Sequence, residues 1–381
     1  MKKILHIASF DGNIGDNASH IGFDNILSLL DLDVSIDRLE IRKAYNNYKD
    51  NDKILFDDKF AEKANKYDYV IFGGGGFLDY WVENSSTGTT ISLTEAAINK
   101  LTTNVLITSV GAHPNKKVPE KNYELFRSFI DKIVKKDNFT VALRNDGSKE
   151  SLCLVFDNKF ASNFNEVLDH GFYYKPKIED RLKIEGDYIC FNVTKDQVNM
   201  YNNGNKIEDF TSYFHELSSL VISIINDYGY KVVFMPHIYS DISAISELFD
   251  YLPDWALRNE IIVAPYIQGD EGCDFIFNTY AKSSGVVASR YHANVVALDN
   301  GINCFGLSPL SRIKSLNEGL VNNLGYAFPT PGFSKKVINF LFESKVDNRN
   351  AIMKSLICKK ENTLEFYRKY FSVESINCKN N

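Results

Sequence analysis

The residues with the most chemical potential are Ser289, Arg290, Tyr291 and His292, set between two apolar stretches. Gly285–Ala288 precedes them, and Ala293, Val295, Val296, Ala297 and Leu298 follow. A cation and an imidazole are thus concentrated at a strand-to-helix junction. Ser289 can cap the helix. Backbone N–H groups, the helix dipole and Arg290 together suit an anion, with His292 near enough to act as acid or base. A histidine satisfied by a neighbouring carbonyl fits the same pattern. Three further groups belong with this step. Gly12-Asn13-Ile14-Gly15-Asp16-Asn17 follows a first strand, and its glycines permit close backbone approach to a ligand. Gly73 to Gly76, before Phe77-Leu78-Asp79, are four consecutive glycines that weaken a strand and suit a sharp bend beside a ligand. Arg144 ends a strand, where it can fork onto a carboxylate or phosphate or make a surface ion pair.

Other histidines are weaker candidates. His237 ends a strand, and Asp241 follows on the next turn, so the pair can line the same cleft. His113 also ends a strand. His6 and His215 read as structural, while His20 and His170 stay undecided. Asp31-Leu32-Asp33 ends a helix and reads as turn chemistry, and no spacing suggests a metal site.

The elements that position these groups alternate. Strands are expected at Lys3–Ala8, Val34–Leu39, Tyr69–Phe72, Asn104–Val110 and Phe139–Leu143, with helices between them and Asp16 capping the first. Residues 157–186 lose periodicity and mark a junction. The alternation restarts at Tyr188–Val193 and continues through Asn303–Leu307, with a strand at Gly285–Ala288 and a helix at Tyr291–Asp299. The pattern implies an α/β protein with two Rossmann-like, doubly wound domains facing a cleft. The first spans residues 1–175 and the second 176–330. Helices and a polar tail fill 331–381, the helices crossing back to the first domain.

Bulk properties exclude several classes. Hydrophobic residues are 44% and charged residues 24%, as in ordinary globular proteins. A net charge of −6 argues against a nucleic-acid partner held by global charge. The six cysteines, Cys153, Cys190, Cys273, Cys304, Cys358 and Cys378, form no CxxC pair and read as reduced thiols. No apolar run is long enough to span a bilayer. A cytoplasmic location is expected, compatible with peripheral contact at a membrane. Oligomeric state is left open.

The ordered set of motifs resembles the polysaccharide pyruvyl transferases. It comprises GNIGDNA (12–18), GGGGFLD (73–79), the strand-end glycine of TSVGAHP, RNDGS (144–148), MPHIYSD (235–241) and SRYHANVVALDNGINCFGLS (289–308). The resemblance implies a fold like the GT-B glycosyltransferases. It also implies transfer of pyruvate from phosphoenolpyruvate to a sugar of a surface polysaccharide or its precursor, as a ketal, without a cofactor or metal. The second domain would hold the donor and the first the sugar acceptor, which could be lipid-linked or nucleotide-linked. Arg290 and His292 map to the family's donor-holding pair, and Arg144 to the arginine of the serine motif. Asn145 stands where relatives often carry Asp. His292 would supply a proton, and Asp16 or Asp241 would receive one from the sugar hydroxyl. Ser289, Gly12, Asn13, Asn17, Gly74, Gly75, Gly76 and His237 would complete the substrate contacts. A nucleotide-sugar glycosyltransferase is the alternative on the same architecture.

Overall fold

The computed structural model describes residues 1–177, 182–197, 210–320, 325–344 and 349–372. Cys378 and the tail from 375 onward lie outside the described residues. Strands β1 (Lys2–Ala8), β2 (Val34–Glu40), β3 (Tyr69–Gly75), β4 (Asn104–Val110), β5 (Phe139–Arg144) and β6 (Asn165–Val167) form one parallel sheet in the order β2-β1-β3-β4-β5-β6. Strands β7 (Tyr188–Asn192), β8 (Lys231–Phe234), β9 (Ile261–Val263), β10 (Gly285–Ala288), β11 (Cys304–Leu307) and β12 (Tyr326–Ala327) form a second, in the order β12-β11-β10-β7-β8-β9. Central strands buried on both faces explain the unbroken apolar runs, such as Val70 to Phe72 and Val286 to Ala288.

Each sheet reverses its winding direction once, between β1 and β3 in the first and between β7 and β10 in the second. Ligands of doubly wound sheets bind at such points, beyond the carboxyl ends of the strands. The loop after β1 is Gly12–Asn13 and the run after Phe72 is the glycine run, while β10 leads into Ser289–His292.

The two halves are welded along one helix, Ile14–Leu29. Its Ile14, Ala18, Phe23, Ile26 and Leu27 share a hydrophobic cluster with Cys273, Ile276 and Tyr280 of helix Gly269–Ala281 and with Val295 and Val296 of helix Tyr291–Asp299. Asn17 Nδ2 and His20 Nε2 reach Asp270 Oδ1 across the same seam, at 2.8 and 2.9 Å. The long helix Arg349–Tyr370 crosses back to the first sheet, as the sequence implies. Tyr367 Oη lies 2.6 Å from both Thr108 Oγ1 of β4 and His170 Nε2. Thr363 Oγ1 accepts from Leu168 N–H at 3.0 Å.

The structure departs from the sequence reading at definite places. β3 continues through Gly73 and Gly75, which pair with Thr108 and Val110. The side-chain pattern stops at Phe72, but the backbone ladder does not. The supposedly aperiodic 157–186 stretch contains β6 and a 3₁₀ turn, His170–Tyr173. Asn13, rather than Asp16, caps the first helix, its Oδ1 accepting from Gly15 N–H at 3.1 Å. His215 is exposed. Helix Ser311–Leu320 was not anticipated. Among the described cysteines, Cys190, Cys273 and Cys304 are buried free thiols and Cys358 is exposed.

Gly22 lies where this helix crosses the 170–174 backbone. A Cβ there would overlap the His170 carbonyl oxygen, which is backbone and cannot swing aside. Gly22→Ala is therefore expected to cost about 1–3 kcal/mol and to lower the melting temperature. Gly319→Ala, in a helix with open space around the new methyl, should be neutral or slightly stabilising. Thermal and urea unfolding of the two variants check this pair.

Candidate active site

The helix Tyr291–Asp299 begins with Arg290 as its N-cap residue, in extended conformation and without a side-chain cap. Ser289 lies one residue too early to cap it. It is buried instead, near Tyr213. The first-turn N–H groups, which a helix cannot satisfy internally, thus start beside the junction without a side-chain partner. Asn192, at the end of neighbouring β7, fixes this junction. Its Oδ1 accepts from Arg290 N–H at 2.9 Å and its Nδ2 donates to the Met235 carbonyl at 3.0 Å.

Asp241 was expected to line the cleft beside His237. It is fully buried, and its carboxylate accepts from Arg290 Nε at 2.8 Å, from Arg290 Nη2, and from His237 N–H at 2.9 Å. It is a positioning group for Arg290 and has no access to a sugar hydroxyl. Asp196 Oδ1 holds Arg290 Nη2 at 3.0 Å. Gln197, with its amide nitrogen on the Ser289 carbonyl, accepts from Arg290 Nη1 at 3.3 Å. His237 does line the site. Its Nε2 is 2.9 Å from Tyr280 Oη, and burial, with the charges of Arg290 and His292, pushes its imidazole well below the ordinary value. It is neutral at physiological pH.

On the other side runs a ladder of buried charges. Arg144, at the end of β5, donates Nε to Asp146 Oδ2 at 2.7 Å and Nη1 to Asp169 Oδ2 at 3.3 Å, and its guanidinium lies 4.2 Å over the Tyr291 ring. Asp169 Oδ1 accepts from Gly171 N–H at 2.8 Å and lies 3.3 Å from His292 Nε2, within ion-pair distance but short of hydrogen-bond alignment. Burial alone would raise the Asp169 carboxyl. His292, Arg144 and the Gly171 N–H outweigh it and hold the group well below the usual carboxylate range. Asn145, the residue that departs from the resembled motif, accepts from Asp169 N–H at 2.9 Å through Oδ1, so it shapes the turn that presents Asp169.

The first half supplies the opposite wall. Asn13, Gly15, Asp16, Gly75 and Gly76 meet Arg144, His237, Arg290, Tyr291, His292 and Arg312 around a cavity of about 140 Å³. Gly15 is required by contact, since a Cβ there would lie 2.7 Å from His292 Nδ1. Gly74 adopts φ +74, and a Cβ would overlap Ser19 Oγ. It turns the chain so that Gly75 and Gly76 face the cavity. Gly12 lies outside the cavity beside Arg42, and Asn17 is spent on Phe10 and Asp270. Asp16 borders this cavity and a larger one of about 540 Å³. Its Oδ2 accepts from Ser9 Oγ at 2.9 Å and Arg42 Nη2 at 3.3 Å.

Two functional residues escaped the sequence reading. Asp169 falls in the stretch that shows no period, although Asp-His-Gly directly after apolar Val167-Leu168 is a usable signal. Arg312 lies just past the last recognisable motif. It donates to Asp79 Oδ2 at 3.0 Å and to the His113 carbonyl at 2.9 Å, while its buried Nε has no partner. Among the described residues no group of three or more His, Cys, Asp or Glu could hold a metal ion, and no helix is long and apolar enough to cross a membrane.

The Asp169 ladder makes a pH-dependent contribution. A folded-state carboxyl held below its unfolded value stabilises above about pH 3.9, and loses that contribution as pH falls through the folded value. Asp169→Asn should destabilise the protein by about 1–3 kcal/mol at neutral pH, because Arg144 Nη1 and the Gly171 N–H lose a charged buried acceptor while Asp146 still balances Arg144. The gap to the parent protein should narrow as pH drops below about 3.9. Urea titrations across pH 2.5–7, a range chosen around that carboxylate window of about 3.9, measure both.

Solved structures with the same overall fold cover nearly the whole chain at low identity. The S. aureus MnaA–UDP co-structure is 12% identical, with a TM-score of 0.54 and 98% coverage of each chain. The UDP-GlcNAc 2-epimerase of Methanocaldococcus jannaschii is 13% identical, with a TM-score of 0.58, over 96% of this chain and 100% of that one. The glycosyltransferase SnogD of Streptomyces nogalater is 11% identical, with a TM-score of 0.53, over 98% and 99%. These likenesses establish the two-domain GT-B architecture. No curated protein matches the chain in sequence. The family profile described as polysaccharide pyruvyl transferase matches residues 13–311, which contain the second sheet's winding reversal and every residue named around the small cavity except Arg312, and the chain belongs to that family.

Proposed function

We propose that this transferase moves the pyruvyl group of phosphoenolpyruvate onto two hydroxyls of a sugar, forming a ketal and releasing phosphate. One observation carries the reading. A small cavity walled by Arg144, Arg290, Arg312, His292 and an uncapped helix start opens beside a larger cavity, with Asp16 on the border of both. About 140 Å³ suits a three-carbon phosphorylated acid and falls below the roughly 300–1,000 Å³ typical of larger ligands. Carboxylate and phosphate are the anions that arginine forks and helix starts bind.

In this reading His292 delivers a proton to the methylene carbon, and the positive centre that develops at the neighbouring carbon is met by the first sugar hydroxyl. Asp16 takes that hydroxyl's proton as the C–O bond forms. The bond from this carbon to the phosphate oxygen then breaks, the phosphate leaving with the proton held by Asp16, and the second hydroxyl adds to the carbon while its proton passes to His292 and restores the acid. One hydroxyl proton ends on the new methyl group and the other leaves with phosphate, so atoms and charge balance. Asp169 orients His292, and the donor's own negative charge gives the imidazole a reason to hold its proton.

Phosphate release from phosphoenolpyruvate, followed with a panel of sugar acceptors and alongside UDP binding, tests the reading. Acceptor-dependent release is expected. UDP binding without any release would point to a nucleotide-sugar transferase instead. His292→Ala should lower kcat by about 10²–10⁴-fold and abolish proton uptake on donor binding. Unchanged uptake would remove His292 from the acid role.

A further inference from the structure

The larger cavity has chemistry of its own. Its volume is about 540 Å³, and Tyr45, Asn46, Phe77, Trp81, Glu83, Thr89 and the border residue Asp16 are among its walls. We propose that it binds the acceptor as an uncharged oligosaccharide of about two or more sugar units, with one ring stacked on Trp81. The word acceptor rests on the pyruvyl-transfer reading, whereas the glycan site does not.

Size gives the length. The cavity lies within the roughly 300–1,000 Å³ range of ligands larger than one pyranose. Wall chemistry gives the class. An aromatic face beside hydroxyls and amides matches a sugar's alternation of C–H faces and hydroxyl edges. Lys116 Nζ sits 4.1 Å over the Trp81 ring, and Trp81 also lines the cavity, where a sugar can pack against it.

Charge gives the neutrality. The cationic wall residue, Arg42, is already engaged by Asp16 at 3.3 Å and lies 3.7 Å from Glu40. Asp79 is engaged by Arg312. Glu83 is exposed and adds negative charge at the rim. A uronate or diphosphate inside would meet carboxylates on a wall whose cation, Arg42, is already paired, while Lys116 lies off that wall against the Trp81 ring. A hydroxyl does better, because it carries no charge and can donate to Asp16.

The wall is rigid before any ligand arrives. The segment Tyr80–Leu93 has neither helix nor strand, yet it is braced throughout. Ser85 Oγ donates to the Thr89 carbonyl at 2.7 Å, Thr87 Oγ1 to the Ile91 carbonyl at 2.9 Å, and Ser86 Oγ to the Leu93 carbonyl at 2.8 Å. Asn122, fully buried on a neighbouring helix, donates Nδ2 to the Tyr80 and Val82 carbonyls at 3.0 and 3.1 Å. Preorganisation of this kind reduces the ordering cost of binding, which matters for a ligand as strongly hydrated as a sugar.

The chain has two tryptophans, so Trp255→Phe leaves Trp81 as the sole indole reporter. Trp255 is half-exposed on the second half, away from both cavities. In this background, Trp81 emission is titrated with neutral disaccharides and trisaccharides of hexoses and N-acetylhexosamines, their monosaccharides, glucuronate-containing disaccharides, and UDP. Neutral disaccharides or trisaccharides should perturb Trp81 and bind about tenfold or more tightly than their monosaccharides. Calorimetry on folded Trp81→Ala should show loss of that binding, with part retained by Trp81→Phe. Asn122→Ala should raise the acceptor KM with little change in the donor KM. Equal binding of monosaccharides, tighter binding of glucuronate glycans or UDP, or no response across the panel overturns the proposal. Glycan binding without phosphate release sinks pyruvyl transfer and leaves the glycan site standing. Phosphate release with an acidic acceptor that does not perturb Trp81 does the reverse.

Discussion

Removing a carboxylate such as Asp169 from water costs several kcal/mol unless cations and N–H donors replace the lost hydration. The structure meets that demand from three directions. Arg144 arrives from the end of β5, the Gly171 N–H from the 3₁₀ turn, and His292 from the other half of the molecule. Arg144 is itself tied to Asp146, and Asn145 holds the Asp169 backbone N–H. The carboxylate therefore does more than orient one imidazole. Its partners come from both halves, so its burial requires the two sheets to stand in one relative placement.

The same logic separates groups that face substrate from groups that hold them. Arg290 is fixed by Asp241 and Asp196, so it presents a constrained fork. Buried carboxylates in this site position cations, and in the proposed reaction the bordering carboxylate Asp16 is the one that takes a proton. Opposite signs of charge also divide the two cavities. Arginines and a helix start surround the small one, while the large one is hydroxylic, aromatic and mildly acidic. On the proposed function, a trianionic donor and an uncharged acceptor would sort themselves between such neighbours.

Much of this was legible in the sequence. The apolar strands and the Ser289–His292 junction could be read because central parallel strands must be greasy and chemistry must interrupt them. The strand at Gly285–Ala288 and the helix at Tyr291–Asp299 coincide with the structure to the residue. What could not be read depends on partners distant in the chain. Asp241 looked like a cleft residue because nothing local reveals Arg290 beside it. Asn17 looked like a ligand contact because its partner, Asp270, lies 253 positions away. Asp169 was hidden because β6 is three residues long, too short to show a period. Ser289 failed as a cap by a single residue of phase, which composition does not encode.

The helix Ile14–Leu29 has a consequence for motion. It is anchored by its own sheet and also buried against two helices of the other half. A two-domain clamp that opens while keeping this core intact must turn about that helix, as a door turns about its pin. Points near a pin travel least. Asp16 sits in the first turn of this helix, and Gly15 touches His292, so both Asp16 and His292 lie close to the axis. In the proposed reaction the acid and the base would therefore stay in register at the centre while more distant parts of the cleft open.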